Sequence, residues 1–474
     1  MKKSLRPWVA GIACTALAPV AGHADTAEDL AALRAEIAAL KQDYAERVSQ
    51  LEARIEELEA TSAGAPAAAA GSPAAMAAVP ADTPPAGGAL PSGASAFNPA
   101  ISVILTGTYA NLSQDPATWA IAGFIPGGDE IGPGERSFSL GESEVTFAAS
   151  VDPYFSASLT AALSAEGDLG VEEAFFRTTG LPSGFTLKGG RFFSGIGYLN
   201  EIHAHAWDFV DQPLAYQAFF GGQLAQDGLQ VKWLAPTDVF LEFGAEAGNG
   251  NAFPATREGS NDLNSVALFT HVGGDIGDSI GWRAGLSWID ADATGREYAD
   301  VNAAGDPVTN AFTGQSRTWI ADATLKWAPG GDARARALEL KAEYLQREEE
   351  GRLAYDLAGA NLDGAYRSRQ DGWYAQAVYR FAPRWRAGLR YDALDSGDTH
   401  IGLVDTGMLA RSDFPLLAPA TPSRITLMAD WSPSEFSRLR AQYAWDDARD
   451  GGNTDEQWLL QYIHAIGAHG AHKF

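Results

Sequence analysis

From residue 97 onward the chain is dominated by apolar and polar positions in strict alternation. Leu338, Leu340, Ala342 and Tyr344 interleave with Glu339, Lys341 and Glu343. Trp385, Ala387, Leu389 and Tyr391 interleave with Arg384, Arg386 and Arg390. Leu439, Ala441, Tyr443 and Trp445 interleave with Arg438, Arg440 and Gln442, and Trp319 to Trp327 shows the same pattern. A period of two sends successive side chains to opposite faces, so each run predicts a strand with one apolar and one charged face. Runs of this kind predict sixteen strands, over residues 100–112, 139–151, 154–164, 169–180, 185–193, 227–235, 238–247, 263–273, 279–290, 317–328, 335–348, 368–382, 384–394, 423–432, 436–446 and 456–466. Their connections alternate in length. Tight turns are expected at Asp152-Pro153, Leu181 to Gly184, Pro236-Thr237, Gly277-Asp278, Pro329 to Gly331, Pro383 and Ser432 to Ser434. Longer polar loops are expected around 113–138, 194–226, 248–262, 291–316, 349–367 and 395–422.

A soluble sandwich with its charges facing water also produces alternation. Two features favour a membrane instead. The apolar faces are bracketed by Trp and Tyr, as suits the two interfaces of a bilayer. An even number of strands with short turns on one side and long loops on the other closes into a cylinder with no unpaired edge in lipid. The fold class expected for residues 97–474 is therefore an all-β transmembrane β-barrel of about 16 antiparallel strands. The chain ends on Phe474, a terminal aromatic common in such barrels, although His472 and Gly470 before it interrupt the usual apolar alternation.

The first 96 residues divide in three. Lys2, Lys3 and Arg6 precede an apolar stretch near Val9 to Val20, and Gly22 and Ala24 suit cleavage before Asp25, so residues 1–24 read as a secretory signal peptide. Cleavage there removes Cys14, the single cysteine, leaving a chain suited to an oxidising periplasm. In residues 25–60, Leu30, Leu33, Ile37, Leu40, Tyr44, Val48, Leu51, Ile55 and Leu58 form a heptad seam with one stutter. This predicts an N-terminal α-helical coiled coil, with a single amphipathic helix packed on another surface as the alternative. Residues 61–96 are Ala, Pro, Gly and Ser at nearly every position and read as a disordered tether. No later stretch reaches the roughly 20 apolar residues of a spanning helix. The formal charge of −26 becomes −29 once Lys2, Lys3 and Arg6 leave with the signal, and that acidity argues against a nucleic-acid partner.

The signal peptide, coiled coil, tether and barrel together resemble the outer-membrane porins of the phosphate-selective O and P type, and Gly190 to Tyr198 resembles that family's barrel wall. A narrower resemblance joins Asn200 to Phe209 and Gly467 to Phe474 to a group of zinc-regulated outer-membrane proteins, members of which are labelled TonB-dependent receptors. True receptors of that class, as the resemblance implies, have a larger barrel filled by a globular N-terminal plug. This chain offers a coiled coil and a tether in that place.

By resemblance to trimeric sixteen-strand porins, the third long loop folds into the lumen and sets the bore. Here that is 194–226, which carries the aromatic anchors Trp207, Phe209, Tyr216, Phe219 and Phe220 and the acids Glu201, Asp208 and Asp211. Arg386, Arg390, Arg438 and Arg440 are expected on the facing wall, giving a constriction with a transverse field. The alternative is local pairing of these arginines with Asp392, Asp446 and Glu435. His203 and His205 point the same way on an extended segment and could share zinc with Asp208 or Asp211, and His469 and His472 form a second pair. In both cases ordinary hydrated loop histidines are the alternative. His271 is expected to face the lumen, as are Glu142, Glu144, Glu242 and Glu246.

The sequence has no G-x-S-x-G, H-E-x-x-H or Walker loop, so no enzyme is expected, and no cofactor beyond zinc as a candidate substrate. The expected function is passive diffusion of small polar solutes or ions, with weak cation preference, through a homotrimer in the outer membrane of a Gram-negative bacterium. The alternatives are a metal-acquisition receptor and a structural tether reaching peptidoglycan or a periplasmic partner through the coiled coil.

Overall fold

In the computed structural model, residues 99–128, 131–164, 167–256, 261–449 and 452–467 are described. The signal peptide, coiled coil, tether and His469 and His472 lie outside them. The described residues form one antiparallel sheet of 17 hydrogen-bonded segments that closes on itself. Two segments, Ser137–Leu140 and Ser143–Ser150, both pair with the first strand and make one crossing interrupted at Gly141 and Glu142. The barrel therefore has sixteen crossings, which we number in chain order. They are β1 (Ala100–Leu112), the interrupted β2, β3 (Phe155–Leu163), β4 (Leu169–Thr178), β5 (Phe185–Phe193), β6 (Ala225–Leu234), β7 (Phe240–Gly248) and β8 (Ser265–Ile276). The second half comprises β9 (Ile280–Val301), β10 (Pro307–Trp327), β11 (Ala337–Tyr355), β12 (Leu362–Ala382), β13 (Trp385–Ile401), β14 (Ser423–Ser434), β15 (Ser437–Asp447) and β16 (Asp455–Gly467). Closure runs from Ser102 opposite Gly467 to Leu112 opposite Gln457. All sixteen expected strands are present.

The outward face explains the apolar half of the alternation. On β10, Trp319, Leu325 and Trp327 point away from the lumen and are among the exposed residues. The eight residue steps between the two tryptophans, at roughly 3.3 Å each and foreshortened by strand tilt, span about 20 Å of height, close to the apolar band of such barrels. Paired aromatics mark both edges. Trp288 meets Trp319 and Trp373 meets Tyr391 at one edge; Trp385 stacks on Trp431 at the other, with ring centroids 5.9 Å apart.

Three predicted loops are corrected. Residues 291–316, 349–367 and the start of 395–422 are continuations of β9 to β13, which run 17 to 22 residues, and the links are reduced to 302–306 and 356–361. The cause is a change of phase in the alternation. On β11 the outward positions run Leu338, Leu340, Ala342, Tyr344, then Gln346, Glu348, Glu350 and Arg352; the inward ones run Glu339, Lys341, Glu343, then Leu345, Arg347, Glu349, Leu353 and Tyr355. Above the aromatic ring the outer face is polar, and apolar side chains join polar ones on the inner face. There Phe312, Leu353, Tyr355 and Tyr366 pack with Leu403, Phe414 and Leu417 in a buried cluster.

Candidate functional site

Residues 194–224 leave the end of β5 and fold into the lumen. The neck is closed by Asn200, whose side-chain amide donates to the carbonyls of Ser194 (2.8 Å) and Leu224 (3.0 Å) and whose Oδ1 accepts from Leu224 N–H (2.8 Å). Glu246 on β7 accepts from the Ser194 hydroxyl (2.5 Å) and Gly195 N–H (2.8 Å). Deeper in, Glu343 on β11 accepts from the N–H groups of Tyr198 and Leu199 at 3.1 and 3.0 Å and from the hydroxyls of Tyr216 and Tyr374 at 3.0 and 2.6 Å. The loop then forms α1 (Leu214–Phe220), every residue of which is buried. The Leu214 N–H donates to Asp392 on β13 at 3.0 Å, so a carboxylate meets the positive end of the helix. Gly221 ends α1 in the left-handed region (φ 63°), where an added Cβ would lie 1.9 Å from the Gly127 carbonyl oxygen; only glycine fits. Around α1 the lumen holds a buried apolar cluster of Phe124, Leu214, Phe219, Phe220, Phe269, Ile289, Ile320, Leu345 and Leu394.

The loop acids meet the wall bases directly. Asp208 is 2.9 Å from Arg386 and 2.7 Å from Lys341, and also accepts from Gln376 at 2.8 Å. Asp211 is 2.6 Å from Arg424 and 3.2 Å from Arg390. Arg440 donates to the carbonyls of Phe209 (2.8 Å) and Trp207 (2.6 Å), and Arg438 to that of His205 (3.4 Å). Glu201 lies 3.3 Å from Lys232 and 4.0 Å from Lys188. Burial raises the pKa of both aspartates, yet the adjacent cations outweigh it and hold both carboxyls below their ordinary range: Lys341 and Arg386 for Asp208, Arg424 and Arg390 for Asp211. Local pairing on the wall occurs as well, with Arg390 2.9 Å from Asp392, Arg424 3.6 Å from Asp446 and Arg386 2.5 Å from Asp430. Of the local pairs expected on the wall, Arg390 with Asp392 forms, whereas Asp446 takes Arg424 and Arg386 takes Asp430. Arg390, Arg424 and Arg440 are almost fully buried.

The sequence reading missed Lys341, Arg424 and Glu343 as partners of the loop, and Asp430 as the acid that pairs Arg386 on the wall. Arg424 and Asp430 lie on the inward face of β14, on the alternation that named Arg386 and Arg390, and were open to the same inference.

The histidines take partners other than those expected. Asp208 and Asp211 are committed to cations, and His203 and His205 turn toward β2 and β4. His203 Nδ1 is 3.3 Å from both Glu144 and Glu172, its Nε2 is 3.0 Å from Glu173, and His205 Nδ1 is 2.6 Å from Glu144. The two rings stack at 5.9 Å. A bulge in β4 makes this possible. Thr160 pairs with Glu173 and Ala161 with Val171, so Glu172 is the extra residue and both carboxylates reach one imidazole. Burial opposes a charge on His203, but the three carboxylates overcome it and raise its pKa well above the ordinary value. His271 is buried beside Glu242 at 3.2 Å. Glu142 sits in the break in β2.

No family model matches this chain. It is 31% identical over 407 residues to an uncharacterized protein of Aquifex aeolicus (strain VF5), covering 81% of each. Similar solved structures include a loop L8 deletion mutant of OmpT, an outer membrane protein of Vibrio cholerae (14% identity, 78% of this chain and 99% of that one, TM-score 0.49). Others are Pseudomonas putida OprB at high pH (13% identity, 78% and 94%, TM-score 0.47) and the outer membrane channel DcaP of Acinetobacter baumannii (12% identity, 78% and 97%, TM-score 0.44).

Proposed function

The chain belongs to the same family as the uncharacterized Aquifex aeolicus protein, and we propose that it is an outer-membrane diffusion channel for small polar solutes or ions, narrowed by the loop at 194–224. One observation carries the reading: a closed sixteen-crossing barrel with an apolar outer band encloses a charged lumen crossed by a loop that the wall arginines hold. Charge is separated across that lumen. Glu144, Glu172 and Glu173 lie on β2 and β4, whereas Arg386, Arg390, Arg424 and Arg440 lie on β13 to β15, so a solute passing beside the loop crosses a transverse field.

Because Asp208 and Asp211 are neutralised by contact, the acids of β2 and β4 dominate the remaining field, and the channel favours cations weakly. The resemblance to the phosphate-selective O and P type is taken as one of architecture. Three copies associate through the low wall of β1 to β8, whose strands are shorter than β9 to β13. The signal peptide directs export to the outer membrane of a Gram-negative cell, and the coiled coil aligns the trimer. Reconstitution into planar bilayers with a salt gradient tests the reading. Stepwise currents with a cation-side reversal potential are expected. Bilayers that stay silent would refute the channel, and an anion-side potential would refute the selectivity.

A further inference from the structure

Apart from the contact of Arg438 with the His205 carbonyl, the side chains around His203 face β2 and β4 rather than the β13 to β15 wall. Their geometry has its own logic. His203 presents its two ring nitrogens to different acids: Nε2 to Glu173 at 3.0 Å, and Nδ1 to Glu144 and Glu172 at 3.3 Å each. Without metal both ring nitrogens face carboxylates; an ion that displaced the Nδ1 proton would find the ring already oriented by its Nε2 contact with Glu173, as second-shell acids orient a ligating histidine. One donor atom each from Glu144, Glu172 and His203 lie within 4.8 Å of one another. Donors held at about 2.0–2.2 Å from one tetrahedral ion sit roughly 3.3–3.5 Å apart, close to the spacing His203 Nδ1 already has to both carboxylates. Glu144 uses its other oxygen to meet His205, so its orientation is fixed from the far side.

The charge balance points the same way. Three carboxylates face two imidazoles, and Glu144 is almost completely buried. Even with both rings doubly protonated, these five side chains keep one net negative charge, and the Arg438 guanidinium lies 3.4 Å from the His205 carbonyl. A divalent cation satisfies the acids with both rings neutral.

We infer that Glu144, Glu172 and His203 bind a divalent transition-metal ion in the lumen, with Glu173 and His205 orienting the ligands. An imidazole beside carboxylates suits zinc, cobalt, nickel or manganese better than magnesium or calcium, which take all-oxygen shells. The inference stands apart from the channel reading, because binding is measured without any transport.

The test uses the full-length, detergent-folded protein stripped with a chelator and titrated with Co(II), read by visible d–d absorption. One saturable equivalent is expected in the wild type. His203→Ala and Glu172→Gln should abolish it, and Glu173→Gln should weaken it by roughly ten- to a hundredfold. His400→Gln and the His469→Ala/His472→Ala double variant should keep it. Absence of the band in the wild type, its persistence in both His203→Ala and Glu172→Gln, or its loss in the double variant would each overturn the assignment. Should the ligand variants fail to fold, X-ray absorption on the wild-type zinc complex decides. One imidazole with carboxylate oxygens supports the site; an all-oxygen shell or two imidazoles overturns it.

Discussion

Asp208→Asn is the sharpest perturbation of the loop's seat. Asp208 touches Lys341 at 2.7 Å and Arg386 at 2.9 Å, both largely buried, with Asp430 and Arg440 in the same group. The substitution is nearly isosteric and removes one negative charge. Lys341 then keeps Glu339 at 3.1 Å, while Arg386 and Arg440 share Asp430. Breaking a buried pair while its partner stays buried costs about 3–5 kcal/mol. At 1.4 kcal/mol per decade, the balance between seated and displaced loop shifts by roughly two to three and a half orders of magnitude. The Glu343 contacts and the apolar cluster remain, so the loop loosens without leaving. In planar bilayers the wild type should carry steady current. D208N should show frequent excursions to higher conductance and a reversal potential moved toward anions, because the local balance gains a positive charge. Asp363→Asn, which breaks an exposed pair with Arg352, should behave as wild type. If D208N matched the wild type in conductance, noise and reversal potential, the Asp208 cluster would not be what holds the loop.

Further outcomes follow from the same geometry. The carboxyls of Asp208 and Asp211 are held below their ordinary range, so their contribution is complete above that range and is lost only as pH falls through the lowered values. The difference in conductance noise between wild type and D208N should therefore stay constant from neutral pH down to about pH 4, and its disappearance near pH 5 would contradict this. Phe219→Ala empties a fully buried site beside Phe124 and Arg347 and should cost about 3–5 kcal/mol, read as faster hydrogen exchange in residues 198–224 with the strands still protected. Leu389→Arg, on the outward face of β13 within the apolar band, should lower folding stability in lipid by about 2–4 kcal/mol, measured by denaturant titration in vesicles. Glu348→Arg, above the aromatic ring, should change it by less than about 0.5 kcal/mol.

The strands were legible because lipid on one side and polar lumen on the other impose period two, and Pro and Gly punctuate the turns. The upper parts of β9 to β13 escaped because the apolar phase moves inward above the ring. Glu348, Glu350, Arg367 and Arg369 on the outer face resemble loop composition, while Tyr298, Phe312 and Tyr366 keep the alternation on the inner face. In the loop, acids opposite arginines could be expected from charge alone. Which acid meets which base could not, since Asp208 and Lys341 are 133 residues apart in sequence. The partners of His203 were beyond reach for a different reason: they depend on one extra residue in β4, and a bulge leaves no periodic signal.

The account rests on which face of each strand meets lipid. Single cysteines placed at residues 385 to 394 of a Cys14→Ala chain, labelled and reconstituted in vesicles, test this directly. A lipid-dissolved quencher should reach labels at Trp385, Ala387, Leu389, Tyr391 and Ala393 and spare those at Arg386, Gly388, Arg390, Asp392 and Leu394. Equal quenching at both sets, or water-soluble quencher reaching the first set preferentially, would contradict a barrel with its apolar face in the bilayer.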